Sequence, residues 1–362
     1  MLFFDQLLTA ANEDIERYKA ASRDASLDHL GRNRAAENFT GGLRKRFIGK
    51  CSGQVPSEVR RAATVGEFLR TNQRIQAFGA LIPQLPVHED PELASVFTNM
   101  MEICWDVLSG PGNSLSRLPD GDEILSGLRP GPGKATQNDG VSFVTKATFQ
   151  GSASTQTVFE LYQRLVGLHP MSFRSELIRQ ETKGVVIGAP AMFQSVPKRY
   201  DRDRGIGPQP SYNMELQLST NSMVSNRLLS IGVDLNHQQD LNRFLAWLGS
   251  LETEPARYLN GERAAFCTVD LASASDSIHK CIPSVFFPPW WAQWLSTIRS
   301  THIKVGDELV EKHMLSSMGN GFTFPVMTLL LSAMVLGIYR VLGLKTHAPV
   351  DTPLGVRWLR LW

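Results

Sequence analysis

Two carboxylates stand six residues apart in Cys267-Thr-Val-Asp270-Leu-Ala-Ser-Ala-Ser-Asp276-Ser277. The first closes a β-favouring run, Ala265 to Val269, and a carboxylate at the C-terminal end of a strand is a common active-site placement. The second opens what reads as a helix, with Ser273 or Ser275 as its cap. Taken alone, the pair is also what an ordinary strand-end polar residue and an acidic residue favoured by a helix dipole look like. Further on, Ser316-Ser317-Met318-Gly319-Asn320-Gly321-Phe322-Thr323-Phe324 sets two glycines around an asparagine, a loop whose backbone can approach a ligand closely. A third segment, Lys198-Arg199-Tyr-Asp-Arg202-Asp-Arg204, holds four cations in seven positions between turn residues. It is either a solvated charged loop or a cationic wall for phosphate oxygens, and Asp201 and Asp203 weaken its field.

The elements that must position these residues are legible from periodicity. Residues 1 to about 130 read as mostly helical: Phe4, Leu7, Leu8, Ile15 and Tyr18 recur at helical spacing, as do Val65, Phe68, Leu69 and Ile75. Arg129-Pro-Gly-Pro-Gly133-Lys134 is a chain breaker, and it fails as a phosphate-binding P-loop because Leu128 stands where a glycine is required and Ala135 follows the lysine. Val185 to Ile187 reads as a short strand, and Met214 to Leu235 as a helix leaving at Gly232-Val-Asp-Leu-Asn236. Thr301 to Glu311 predicts a hairpin turning at Gly306-Asp307. The longest apolar run, Phe324 to Tyr339, is shorter than the ~20 residues that span a bilayer and predicts a buried core helix.

At 42% hydrophobic and 20% charged, the 362 residues exclude a mainly disordered chain. A net charge of +2 excludes a global polyanion-binding surplus, so any nucleic-acid site must be local. The cysteines (Cys51, Cys104, Cys267, Cys281) show neither zinc spacing nor a disulfide framework, which fits a reducing compartment. The opening Met1-Leu-Phe-Phe-Asp5 has no basic region or cleavage site of a secretory signal, and the expectation is a cytosolic protein.

In this order and at this separation, the Asp270–Ser277 and Ser316–Phe324 segments resemble motifs A and B of the RNA-directed RNA polymerases of single-stranded RNA bacteriophages, the leviviral replicases of the Q-beta type. The family pattern is close to D-L-S-x-A-S-D-S followed by S-S-M-G-N-G-[FY]-T-F, and Ala272 departs from it. The resemblance also covers Ser195 to Asn236, with S-V-P-K, a basic loop bearing Asp-Arg, and G-[IV]-D-L-N. It implies an α+β fold, a right-hand polymerase fragment with fingers and an incomplete palm. The implied regions are 1–190, a mainly helical N-terminal and fingers part; 191–260, the basic fingers loop and a fingers-palm helix; and 261–345, a partial palm.

The resemblance further implies template-directed nucleotidyl transfer for viral RNA replication, with two Mg2+ ions, replaceable by Mn2+, stabilising attacking and leaving oxygens. Asp270 would be the catalytic metal ligand. Asp276 with Asn320 would bind the ribose 2′-hydroxyl, the group that distinguishes RNA from DNA. Ser317, Gly319 and Thr323 would line the site, while Lys198, Arg199, Arg202 and Arg204 would hold the triphosphate. Implied partners are an RNA template, ribonucleoside triphosphates and host translation elongation factors Tu and Ts, in the cytoplasm of the bacterial host and without a membrane.

The 362 residues contain no Gly-Asp-Asp hairpin, the element that completes the family's metal site, and Asp351 stands alone among breakers. Codons available for Arg360-Leu361-Trp362 read Val-[Phe/Tyr]-Gly one nucleotide later, the residues expected before Asp-Asp. The expectation is therefore a frameshifted tail over 346–362 without a fold of its own, and a chain without a thumb that is inactive as it stands. The competing expectation is a non-catalytic RNA-binding truncation product.

Overall fold

The computed structural model describes residues 55–81, 89–109, 120–131, 135–136, 142, 145, 148–198, 202–250, 271, 273–352 and 355–360. It is a mixture of helix and sheet. The described helices are α1 (Ser57–Leu81), α2 (Pro91–Ser109), α3 (Gly121–Gly127), α4 (Gln156–Gly167), α5 (Pro170–Lys183), α6 (Ser211–Leu228), α7 (Gln238–Ser250), α8 (Ile282–Phe286), α9 (Pro289–Ile298) and α10 (Thr323–Val341). The strands are short: β1 (Gly151–Ala153), β2 (Val185–Ile187), β3 (Ala191–Met192), β4 (Gln194–Pro197), β5 (Asp203–Ile206), β6 (His302–Val305), β7 (Glu308–Glu311), β8 (His347–Thr352) and β9 (Gly355–Arg360).

The chain divides into two compact units. The described part of the first is α1 up to Phe68 together with the β4–β5 pair between Ser195 and Gly205. Its polar centre is Asp203, buried, which accepts from Arg60 Nε at 2.9 Å and from Ser195 Oγ at 2.7 Å. Burial works against the Asp203 charge, but these two hydrogen bonds and the Arg60 charge outweigh it and hold the carboxyl below the usual range.

The second unit contains the core. Tyr212, Leu216, Met223 and Leu228 of α6 pack with Trp291, Leu295 and Ile298 of α9 and with Phe322, Val326, Leu329 and Ala333 at and after the start of α10. α6 begins three residues before the sequence suggests and passes through one 3-10 turn to Gly232, whose left-handed φ of 77° ends it. α4 starts where the Thr155 side chain accepts from the Val158 amide, and it buries Val158, Tyr162, Leu165 and Val166 along one stripe. α10 lies so close to α2 that a Cβ on Gly337 would stand 3.0 Å from the Val96 carbonyl oxygen. The apolar run expected as a core helix is buried on one face only: Phe324, Met334, Ile338 and Leu342 are exposed. By length and composition α10 alone among the described helices could cross a membrane.

The expected strand at 185–187 is β2, paired in parallel with β1. The expected hairpin is β6–β7, with Gly306 at φ 62° in its two-residue turn, and β6 pairs in parallel with β3. The expected strand Ala265–Val269 lies outside the described residues, as do residues 1–54. Over the stretch expected to be a frameshifted tail, β8 and β9 form an antiparallel pair in register from His347↔Arg360 to Thr352↔Gly355, with Pro349 opposite Trp358.

Candidate active site

The segment leaving Asp276 and the segment entering the 316–321 loop are joined by backbone hydrogen bonds. Lys280 N donates to His313 O at 3.0 Å, Leu315 N donates to Ile278 O at 2.7 Å, and His279 bridges Met314. Arg299, at the end of α9, fixes the same strand: its Nε donates to Leu315 O, and its Nη2 donates to the carbonyls of Lys312 and Met314. These three bonds occupy a guanidinium that is only 5% exposed, and burial pushes it down to about 10. With the ladder in place, Asp276 Oδ1 accepts from the Met318 amide at 3.3 Å and from Ser275 Oγ at 3.2 Å.

Asp276 does not open a helix. Ser273 takes a left-handed φ of 52°, a single 3-10 turn covers Ala274–Asp276, and no side chain caps it. Ser277 Oγ instead donates to Ser273 O, which tightens the turn, and the next helix waits until Ile282, with Pro283 in its first turn. The expected capping by Ser273 or Ser275 is thus replaced by a turn that faces the Asp276 carboxylate to the loop.

The loop is held from several sides. Gly207 N donates to Met318 O at 2.7 Å, and Gly319, at φ 102°, brings its backbone so close to Gly207 that a Cβ would stand 3.0 Å from it. Gly321 N donates to Gln217 Oε1 at 3.1 Å, while Gln217 Nε2 and Asn213 Nδ2 both donate to Ile298 O. Thr323 Oγ1 donates to the carbonyls of Ser317 and Asn320, and Asn320 Oδ1 accepts from the Phe322 amide. Gly319, Asn320 and Thr323 therefore shape the loop through their own backbone and side-chain bonds.

Three buried polar atoms here have no hydrogen-bond partner: Ser317 Oγ, Asn320 Nδ2 and Lys312 Nζ. A buried donor left unpaired costs about 1–3 kcal/mol, so such a group calls for a partner or a ligand. Asp276 meets the loop at the Met318 amide, whereas the Asn320 carboxamide nitrogen remains unbonded. Lys198, Arg202 and Arg204 are exposed and belong to the first unit, beside the Arg60–Asp203 ion pair. Asp270 and Arg199 lie outside the described residues.

Sequence reasoning missed Arg299, Lys312, Gln217 and Gln209. Gln209, Asn213 and Gln217 are fully buried; Asn213 and Gln217 stand four apart on the core-facing stripe of α6 and Gln209 just before the helix, and buried amides at this spacing are a readable signal of an internal scaffold. Among the described residues no three of His, Cys, Asp and Glu come together as a metal-binding group. Asp276 receives the Met318 and Ser275 donors, and the described residues do not by themselves form a site for a pair of divalent ions.

Comparison with known proteins gives the family. A family described as RNA replicase, beta-chain, matches residues 150–348, more than half of the chain and inclusive of every described site residue named above. The chain is 36% identical over 141 residues to the RNA-directed RNA polymerase beta chain of Escherichia phage MS2, covering 39% of this chain and 24% of that one. It is 34% identical over 152 residues to the RNA-directed RNA polymerase subunit beta of Qbeta virus (strain MX1), covering 42% and 24%, and 34% identical over 150 residues to the beta chain of Enterobacteria phage fr, covering 41% and 25%. The matched segment spans about a quarter of the length of these relatives, all from phages of bacteria. On the extent of the family match, the chain belongs to the RNA replicase beta-chain family.

Proposed function

We propose that the chain carries the ribonucleotide-recognising part of an RNA-directed RNA polymerase that copies a phage RNA genome in the bacterial cytoplasm. The observation that carries this reading is the hydrogen bond from the Met318 amide to Asp276, which ties the motif A turn to the motif B loop. A carboxylate beside a loop with unpaired Ser317 and Asn320 atoms is chemically suited to a sugar hydroxyl, which both donates and accepts. In this reading 261–345 is part of a palm, the helices before it belong to fingers, and Lys198, Arg199, Arg202 and Arg204 meet the triphosphate. RNA template and ribonucleoside triphosphates are its substrates. The divalent ion, Mg2+ by family, would be held through Asp270 and would supply charge neutralisation at the transferring phosphate. Factors Tu and Ts remain partners on family grounds.

Binding of a ribonucleoside triphosphate and of its 2′-deoxy counterpart to the full chain, with Mg2+, tests the reading. A preference of about tenfold for the ribonucleotide is expected, lost in Asp276→Asn. Equal binding of both sugars by the wild type would overturn it. Primer extension dependent on Mg2+ and abolished in Asp270→Asn would extend the reading to catalysis.

A further inference from the structure

Lys312 follows β7 in the run Glu311-Lys312-His313, where a lysine on a hairpin arm ordinarily reaches water. Its backbone continues the ladder, the amide donating to Thr301 O at 2.8 Å. Its side chain is instead 0% exposed, and Nζ has no hydrogen-bond partner. An unpartnered buried ammonium is unfavourable unless nearby charge compensates it. Two charges act on it: Arg299, a fixed cation held by three carbonyls, opposes its protonation, and Asp276 favours it. The flanking Lys280 and Glu311 pair with each other at 2.7 Å, and burial, followed by the charges of Lys280, His313 and Arg299, holds His279 below its ordinary range.

We propose that Lys312 is a positioning residue for Asp276, a buried through-space counter-charge, on the strand laddered to the segment leaving Asp276, that holds the carboxylate in place against the Met318 amide for a ribose hydroxyl. The inference rests on the reading of Asp276 as the sugar-recognising group. Its chemistry is particular: burial pushes Lys312 down to about 7, so its charge is set by pH near neutrality, where an ordinary lysine is always charged. Ribose recognition should then weaken as pH rises past about 7 and Lys312 loses its proton.

The test begins with the protein alone. Urea unfolding across pH is compared for the wild type, Lys312→Met, Asp276→Asn and the double variant. Wild-type stability should rise between about 7 and 10.5, because there the unfolded chain binds a proton that folded Lys312 has shed, and Lys312→Met should remove that rise. The effect of Lys312→Met should also differ between the Asp276 and Asn backgrounds, and an equal effect in both overturns the proposal. Should Lys312→Met not fold, NMR titration of the lysine Cε signal in wild type and Asp276→Asn replaces it. The midpoint should fall further in the variant, and an unmoved midpoint overturns the pair.

The sugar preference is then measured with GTP and dGTP. A preference that declines with pH in the wild type, and that is about fivefold lower and independent of pH in Lys312→Met, supports positioning. An unchanged, pH-dependent preference in Lys312→Met overturns it. A wild type without any sugar preference defeats the reading of Asp276, while the unfolding cycle still decides whether the two charges are coupled.

Discussion

Around Tyr212 and around Asp276 the second unit buries two polar clusters, and they differ in how completely their atoms are matched. Tyr212 Oη donates to Glu176 Oε1 at 2.6 Å, Gln180 Nε2 donates to the same oxygen, Arg179 pairs with Glu176 Oε2, and Tyr162 Oη donates to Glu215 Oε2. Arg179 also lies over the Tyr212 ring, 5.1 Å from its centroid. Here both carboxylates are matched by hydroxyl, amide or guanidinium groups, although the Arg179 guanidinium, ion-paired through Nη2, keeps Nε without a hydrogen-bond partner. Beside Asp276, three buried polar atoms of Lys312, Ser317 and Asn320 stay unbonded. A closed network serves stability, whereas an open one in the same core is a place prepared for something else.

The largest expected effect lies in the closed cluster. Glu176→Ala leaves the Arg179 guanidinium buried without its carboxylate, and urea unfolding should show a loss of about 3–5 kcal/mol. A loss below about 1 kcal/mol would break the contrast, because the network would then carry no more than a surface pair. Next comes Gly319→Ala, expected to cost about 1–3 kcal/mol, since a side chain at φ 102° is strained and meets Gly207. Nucleotide binding should fall with it, as the loop must shift; full binding with full stability would show that the loop tolerates a different path.

The Glu215 carboxyl supplies a pH test. Burial raises it, with the Arg179 charge and the Tyr162 hydrogen bond opposing, so its folded state favours the neutral form. Stability from this group is fully present below the unfolded value near 4.5 and is lost as pH rises through the folded one. Glu215→Gln should flatten that decline in a pH series of unfolding midpoints. The smallest change in stability is expected from Ser317→Ala, within about 0.5 kcal/mol, because its hydroxyl has no partner to lose. Its nucleotide affinity should nevertheless drop several-fold, and a variant that keeps its affinity would place the open hydroxyl outside the site.

What could be read from the chain was local. The Gly306-Asp307 turn, the helix before Gly232 and the glycine-flanked loop all follow from residue types within a few positions. The turn at Ser273 was not legible, because a serine-rich stretch before an aspartate satisfies the rules for a helix cap equally well. Lys312 was illegible for a different reason: Glu311-Lys312-His313 looks solvated until Arg299, thirteen residues earlier, claims the Lys312 carbonyl. The Gln217 contacts likewise span 81 and 104 residues and exist only once α6, α9 and the loop are assembled.

The contact between Gly207 and Gly319 ties the fates of two distant codons. The demand is one-sided: a Cβ on Gly319 would meet the Gly207 backbone, whereas a Cβ on Gly207 would meet the Ile303 and Ser317 side chains. A substitution at Gly319 therefore pushes the Gly207 segment aside and changes the space that a side chain at Gly207 would find. The paired change should then differ from the sum of its parts, so what position 207 tolerates is expected to depend on what stands at 319 as the gene drifts.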